Sequence, residues 1–340
     1  MNPQRFRLIT RQYKDLRIGV LGDFCLDRYL EIDPARSELS IETGLAVHNV
    51  VNVRPQPGGA GTIVNNLSAL GIGTIYPVGF AGQDGEGFEL WRALQQVPAV
   101  DLKFFLRTAE RRTFTYCKPL VLSPGKSPVE LNRLDSKNWT STPAAVERLL
   151  DKRLLGAAAG VDGMVVLDQV DVPDTGVVTQ HIQKTVRNVL ETHSKMPILA
   201  DSRRGLRAYP PVIFKMNATE LAASAGGARQ LSLEEVKKEA VALARKNGRL
   251  VFVSLAEKGI LGASAEGEAC HVAALPLRGE IDVVGAGDAV SANLVAALAA
   301  GASLAEALEL ANAAASVVIH KLGTTGTASV GEISNLLLGE

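Results

Sequence analysis

The chain has 340 residues with 46% hydrophobic content, enough length to bury a substantial core without disulfides or structural metals. Its 36 Lys and Arg balance 36 Asp and Glu, so no basic excess marks it for duplex nucleic acid or an anionic membrane, and an anionic ligand must be held by local geometry. The three cysteines, Cys25, Cys117 and Cys270, form no C-x-x-C pair, which argues against a disulfide framework or a zinc site and fits a reducing cytoplasm.

The N-terminal residues Met1 to Arg7 lack the apolar run of a secretory signal. Beyond them, short apolar runs alternate with longer helical patterns, the rhythm of β-α units around a mainly parallel sheet. Five runs end in a polar side chain: Ile18 to Leu21 leads to Asp23, Met164 to Leu167 to Asp168, Ile198 to Ala200 to Asp201, Val212 to Met216 to Asn217, and Leu250 to Val253 to Ser254. Ligands of open α/β sheets bind beyond the carboxyl ends of the strands, so these positions are expected to ring one cleft. Helix capping explains the same residues equally well.

Residues 28–57 and 104–135 break the rhythm. Both are rich in Val, Thr, Phe and Tyr with turn residues between, and they read as strands without intervening helices. A small β appendage over the cleft, acting as a lid, is one reading; an immobile edge extension of the sheet is the other.

At Pro57-Gly58-Gly59-Ala60-Gly61 the glycines permit close backbone approach before a helix that carries Asn65, whose amide suits the hydroxyls of a polyol. A simple β-α turn would look the same. Gly125-Lys126-Ser127 resembles the end of a P-loop, but Leu120 stands where its first glycine belongs. Asn217-Ala218-Thr219-Glu220 presents oxygen ligands suited to Mg²⁺ through water, and equally an Asn-x-x-Glu capping box.

Gly285-x-Gly287 fails the dinucleotide fingerprint, because Val290 replaces its third glycine. What remains is Asp282-Val283-Val284-Gly285-Ala286-Gly287-Asp288, opening an Ala-rich helix that runs to about Ala300. Its uncharged stretch is shorter than the roughly 18 apolar residues of a membrane span and reads as a buried helix. Glycines at a helix start make an anion hole, and Asp288 beside it is placed to accept a hydroxyl proton. Capping chemistry gives the same pattern.

In their order along the chain these segments resemble the ribokinase-like, or PfkB, carbohydrate kinases: Gly22-Asp23 with Leu26-Asp27-Arg28, Gly58-Gly59-Ala60 with Asn65, Asn217-x-x-Glu220, then Asp282 to Asp288. Leu21-Gly22-Asp23, Arg133-Leu134-Asp135, Ala311-Asn312-Ala313-Ala314-Ala315 and Lys321-Leu322-Gly323-Thr324 are similar to the branch that phosphorylates D-glycero-β-D-manno-heptose 7-phosphate. The nucleotidyltransferase domain that often follows in that branch is absent from this sequence.

The resemblance implies one doubly wound α/β domain over residues 1–340 with a β lid, a soluble cytoplasmic enzyme that transfers the γ-phosphoryl of ATP to a sugar hydroxyl. It implies Mg²⁺, in some members a monovalent cation, and a homodimer formed through the lid, with neither nucleic acid nor membrane as partner. Asp288 matches the family's base, and Gly285, Ala286 and Gly287 its anion hole. Asp23, Asp27, Gly58, Gly59, Asn65, Arg133 and Asp168 fall at sugar-side positions. Asn217, Ser254, Glu257, Gly259, Asp282 and Asn312 fall on the nucleotide side, with Asn217 and Glu220 tied to magnesium.

Two departures stand out. The branch carries Asp-Tyr-x-Lys-Gly where this chain has Asp168-Gln169-Val170-Asp171, and Asp-Pro-Lys where it has Asp201-Ser202-Arg203 followed by Arg204. Arg and Lys are not interchangeable at phosphate, so Arg203 or Arg204 is expected to contact a phosphate of the sugar or of ATP. A nucleoside kinase of the same fold is the alternative within enzymes, with Phe24, Tyr29, Phe114 and Tyr116 as stacking candidates. A sugar-binding regulatory protein that has lost its chemistry is the alternative outside them.

Overall fold

The computed structural model describes residues 1–227, 230–323 and 325–339. In chain order the helices are α1 (Pro3–Gln12), α2 (Ala60–Ala69), α3 (Gly85–Gln95), α4 (Ala144–Ala158), α5 (Gln180–Thr192), α6 (Ala218–Ser224), α7 (Leu233–Asn247), α8 (Ala286–Ala299), α9 (Leu304–Val318) and α10 (Val330–Leu338). The strands are β1 (Arg17–Gly22), β2 (Phe24–Ile32), β3 (Glu38–Leu39), β4 (Ala46–Val47), β5 (Val50–Gly59), β6 (Thr74–Gly82), β7 (Phe105–Thr108), β8 (Phe114–Val121), β9 (Val129–Glu130), β10 (Leu134–Ser136), β11 (Gly163–Asp168), β12 (Ile198–Ser202), β13 (Ile213–Asn217), β14 (Val251–Ser254), β15 (Ile260–Ala263) and β16 (Ala269–Val272).

Nine strands form the main sheet in the order β16-β15-β14-β13-β12-β11-β1-β6-β7. The seven from β14 to β7 are parallel, and β15 and β16 continue antiparallel. The five apolar runs read from the sequence are five adjacent strands, β14 to β1. They are apolar throughout because both faces are covered. Ile18, Val20, Val165 and Leu167 pack with α1, α2, α3, α8, α9 and α10; Met164, Val166, Ile198 and Ala200 pack with α4, α5, α6 and α7. This is the doubly wound, mainly parallel α/β fold expected from the sequence.

Alanine accounts for the α8–α9 pair. Ala289, Ala292, Ala296, Ala307, Ala311 and Ala314 are fully buried, and side chains this small let two strong helix formers pack closely. The helix from Ala286 ends at Ala299, before Gly301 at φ +74°.

A second, smaller sheet has the order β10-β8-β2-β5, with β9 paired to β8. One residue, Asp23, separates β1 from its β2, and β5 runs directly into α2. The boundaries differ from the sequence reading. Phe105–Thr108 pairs with β6 in the main sheet, and the small sheet begins at Phe24 rather than at residue 28. Both kinds of strand are short and rich in β-branched and aromatic residues, so composition alone does not separate them.

Candidate active site

The order of strands places a cleft at the carboxyl end of β1, whose neighbours β6 and β11 lie on opposite sides of it; the strand order reverses there, which is where open α/β sheets bind ligands. The cleft has a volume of about 260 Å³. Its floor includes Asp23, Thr62, Gly285 and Asp288, and its small-sheet side includes Cys25, Asp27, Phe114, Tyr116 and Lys118. Arg203 and the loop after β11 complete it.

Asp288 lies in the first turn of α8, after Gly285 in the left-handed region at φ +83°. Burial pushes its carboxyl up to about 7; Lys215 and Arg203 oppose that shift, and Asp201 and Asp27 add to it. A carboxyl near neutrality at a helix N-terminus can accept a proton from a hydroxyl at physiological pH.

Asp23 is buried and accepts backbone N–H bonds from Gln169 at 2.8 Å and Val177 at 2.6 Å. Burial and the neighbouring Asp168 push it up to about 7 against those bonds. Asp23 therefore anchors the 169–177 loop as well as lining the cleft. Asp27 forms an ion pair of 3.0 Å with Lys118 across β2 and β8, and both side chains are almost covered. Burial works against the Lys118 charge, but Asp27 and Tyr29 outweigh it and hold the ammonium above the usual lysine range.

The adjacent arginines separate. Arg204 pairs with fully buried Asp168 at 2.6 Å, and Tyr209 and Ser202 donate to the same carboxylate oxygen at 2.8 and 3.0 Å. Burial still holds Asp168 above its ordinary range. Arg203 instead lines the cleft, meeting Gln169 at 3.0 Å and Asp171 at 3.4 Å. Lys137 reaches the same Asp171 at 3.0 Å, so two cations share one carboxylate at this edge.

Of the residues singled out in the sequence, Asp23, Asp27, Gly59, Phe114, Tyr116, Arg203, Gly285 and Asp288 line this cleft. Gly58 lies behind Asp27, where a Cβ would meet Asp27 and Cys25. Ala286 and Gly287 form the first turn of α8. Others have different partners. Asn65 donates to the Pro57 carbonyl at 3.4 Å, and Thr62, three residues earlier on α2, faces the cleft instead. Arg133 pairs with Asp135 and covers the Tyr116 ring on an exposed part of the small sheet. Asn217 and Glu220 close a capping box on α6, at 2.9 and 2.8 Å.

Among the residues expected on the nucleotide side, Ser254 donates to the Met216 carbonyl at 3.4 Å, and Asn312 is buried with its amide on the Ala273 carbonyl at 2.9 Å. Glu257 is exposed in a short turn, and a Cβ on Gly259 would collide with the Val272 backbone, which requires glycine there for packing alone. Asp282 accepts from the Val284 N–H at 3.0 Å. Thr324 lies outside the described residues.

Sequence reasoning passed over Thr62, Lys118 and Lys215. Lys215 carries the clearest signal, a charge in the middle of the apolar run Ile213 to Met216, which can be buried only with a partner. That partner is Asp201, 2.6 Å away. Among the described residues no cluster of three or more His, Cys, Asp or Glu could hold a metal directly. Glu220 keeps one carboxylate oxygen outside the capping box, which fits a Mg²⁺ held through its waters and not one caged by protein.

A doubly wound sheet whose cleft lies beyond the strand ends, with the first turn of α8 and its Asp288 facing it, is the arrangement of ligand-binding α/β enzymes. The pfkB family carbohydrate kinase model matches residues 24–330, and the chain belongs to that family. It is 34% identical over 92% of its length to the bifunctional protein HldE of Halorhodospira halophila, and 31% identical over 90% to that of Azorhizobium caulinodans. The chain spans only 61% of the length of each of these relatives. Its fold is similar to phosphofructokinase-2 of Escherichia coli in complex with substrates and products, with a TM-score of 0.72 at 19% identity, 94% of this chain and 98% of the other being covered. Ribokinase of Arabidopsis thaliana, complexed with ribose and ATP, gives 0.68 at 20% identity, with 95% and 99% covered.

Proposed function

We propose that this carbohydrate kinase transfers the γ-phosphoryl of ATP to a hydroxyl of a sugar phosphate of the heptose 7-phosphate type, within one kinase domain whose small sheet is a lid. The observation that carries the reading is Asp288, a carboxyl raised to about 7 at the N-terminus of α8 in the cleft that also holds Asp23 and Asp27. Asp288 takes the acceptor's hydroxyl proton as its oxygen bonds to the γ-phosphorus and the bond to the β-phosphate oxygen breaks, releasing ADP. The Gly285 to Asp288 turn, where the Ala286 N–H turns back to the Val283 carbonyl at 3.2 Å, offers its other N–H groups and the helix dipole to the phosphoryl charge. Mg²⁺, held through water near Glu220, would neutralise nucleotide phosphates.

The acceptor lies between Asp23, Asp27 and Thr62, and its own phosphate is met by Arg203 and Lys137, the two cations that share Asp171. The lid excludes water, which would otherwise take the phosphoryl group. A nucleoside acceptor is the second reading, favoured by the presence of Phe114, Tyr116 and Trp139 in the lining of the same cleft. The enzyme works in the cytoplasm and dimerises through the lid, a reading supported by exposed Leu39, Ile41, Leu45, Val51 and Val53; sedimentation showing only monomer at micromolar concentration overturns the dimer.

Phosphoryl transfer from ATP with Mg²⁺ across heptose 7-phosphate, hexose phosphates, free sugars and adenosine, with Asp288→Asn in parallel, tests the assignment. Turnover of heptose 7-phosphate that collapses in the variant is expected. Turnover of adenosine alone selects the second reading, and no turnover of any member overturns both.

A further inference from the structure

Beneath the cleft stands a cation that the mechanism above does not use. Lys215 lies in β13 with its side chain 9% exposed, and its Nζ donates to Asp201 Oδ2 at 2.6 Å. Ser291 of α8 donates to the same oxygen at 3.4 Å, so the pair is tied to the helix that carries Asp288. A Cβ built on Gly287 would lie 3.0 Å from the Lys215 ammonium and would meet no other atom nearby. Glycine at 287 thus lets the ammonium lie against the backbone of the first turn of α8.

Two further facts point outward from this pair. An ammonium has three N–H donors, and Asp201 is its only hydrogen-bond acceptor among the described residues, which leaves two donors at the start of α8. The first N–H groups of that helix have no partner within it either. Burial of the pair alone needs a carboxylate and nothing more; it does not require the pair to stand behind the anion hole.

We infer that Lys215 is a further catalytic residue, whose ammonium, held by Asp201, contacts the phosphoryl group as it is transferred at the N-terminus of α8. This rests on the kinase reading above. Lys215 neither gives nor takes a proton. It is a fixed cation from a strand, aimed where charge develops, so no reorganisation accompanies the step. Asp201 shares its charge when the cleft holds no nucleotide.

The test separates this from a purely structural ion pair. Lys215→Met alone strands a buried carboxylate and would be destabilised for that reason, so the decisive protein is the double variant Lys215→Met with Asp201→Asn, which removes both charges at similar volume. Calorimetric affinities for ADP and for the non-hydrolysable AMP-PNP are measured alongside turnover and melting temperature. In the double variant AMP-PNP is expected to bind about 10- to 100-fold more weakly, as for a lost hydrogen bond to a charged group, with ADP affinity nearly kept and turnover lost. A folded double variant with the parental AMP-PNP to ADP ratio and parental turnover overturns the assignment while leaving the kinase reading intact. A parent protein that binds neither nucleotide overturns both.

Discussion

Arg203 and Arg204 are neighbours in the chain with separate partners: Arg204 ends 2.6 Å from the buried Asp168 carboxylate, while Arg203 lines the cleft. Their substitutions should therefore separate. Arg204→Ala leaves Asp168 charged and unpaired in the interior and should cost about 3–5 kcal/mol of stability. Arg203→Ala should leave the melting temperature close to parental and raise KM for a phosphorylated acceptor about tenfold or more. Thermal melts and steady-state kinetics on both variants check this; an unchanged KM in Arg203→Ala would remove it from the phosphate site.

Asp288→Asn should lower kcat by about 10² to 10⁴-fold, the range of general base catalysis, with acceptor affinity retained. The measurement is turnover beside direct binding of the acceptor. Loss of binding in place of turnover would make Asp288 a substrate contact.

The pH dependence follows from the carboxyl near 7. A base must be ionised, so kcat/KM should fall on the acid side with a midpoint near 7, where an ordinary carboxylate would give one near 4. The same raised value bears on stability. Below the ordinary carboxylate range Asp288 is protonated in both states; as pH rises through about 7 its folded form ionises at a cost, and that stability is lost. Asp288→Asn should therefore be more stable than the parent at pH 8 and equal to it at pH 4, measured by denaturant unfolding.

Lys118→Met should raise KM for the acceptor with little change in KM for ATP, since Lys118 lines the small-sheet side of the cleft beside its partner Asp27 and not the α8 side. An effect on ATP alone would reverse the assignment of the two sides.

Gly59→Ala should destabilise the protein by more than the ~1 kcal/mol of an ordinary glycine change, because φ is +57° and the new Cβ would stand 2.5 Å from the Asp23 carbonyl oxygen. Unfolding measurements decide it, and a neutral substitution would show that this junction yields.

Much of this was legible in the chain because apolar runs report burial on two faces. Five runs became five adjacent strands, and Gly285 to Asp288 opened the expected helix. The details that escaped are matters of phase. Asn65 and Thr62 both follow the same glycines, and only the rotation of α2 decides that threonine faces the cleft. Lys118 reads as surface charge on an edge segment until Asp27 is placed opposite it. Asn217-x-x-Glu220 satisfies capping and metal spacing alike, and the hydrogen bonds at both ends show the capping box.

The single residue between β1 and β2 has a mechanical consequence. Asp23 joins the main sheet to the small one, and its carbonyl receives the Ala60 N–H at 3.0 Å, so both chain crossings near Gly59 are pinned to one point. Swinging of the small sheet about that pivot would carry Asp27 and Lys118 with it, while Asp288, Lys215 and Asp201 stay seated on α8 and the main strands. In the kinase proposed above, grip on the acceptor and readiness of the phosphoryl site would then be separate degrees of freedom, and cold or viscous solvent should slow the first without altering the second.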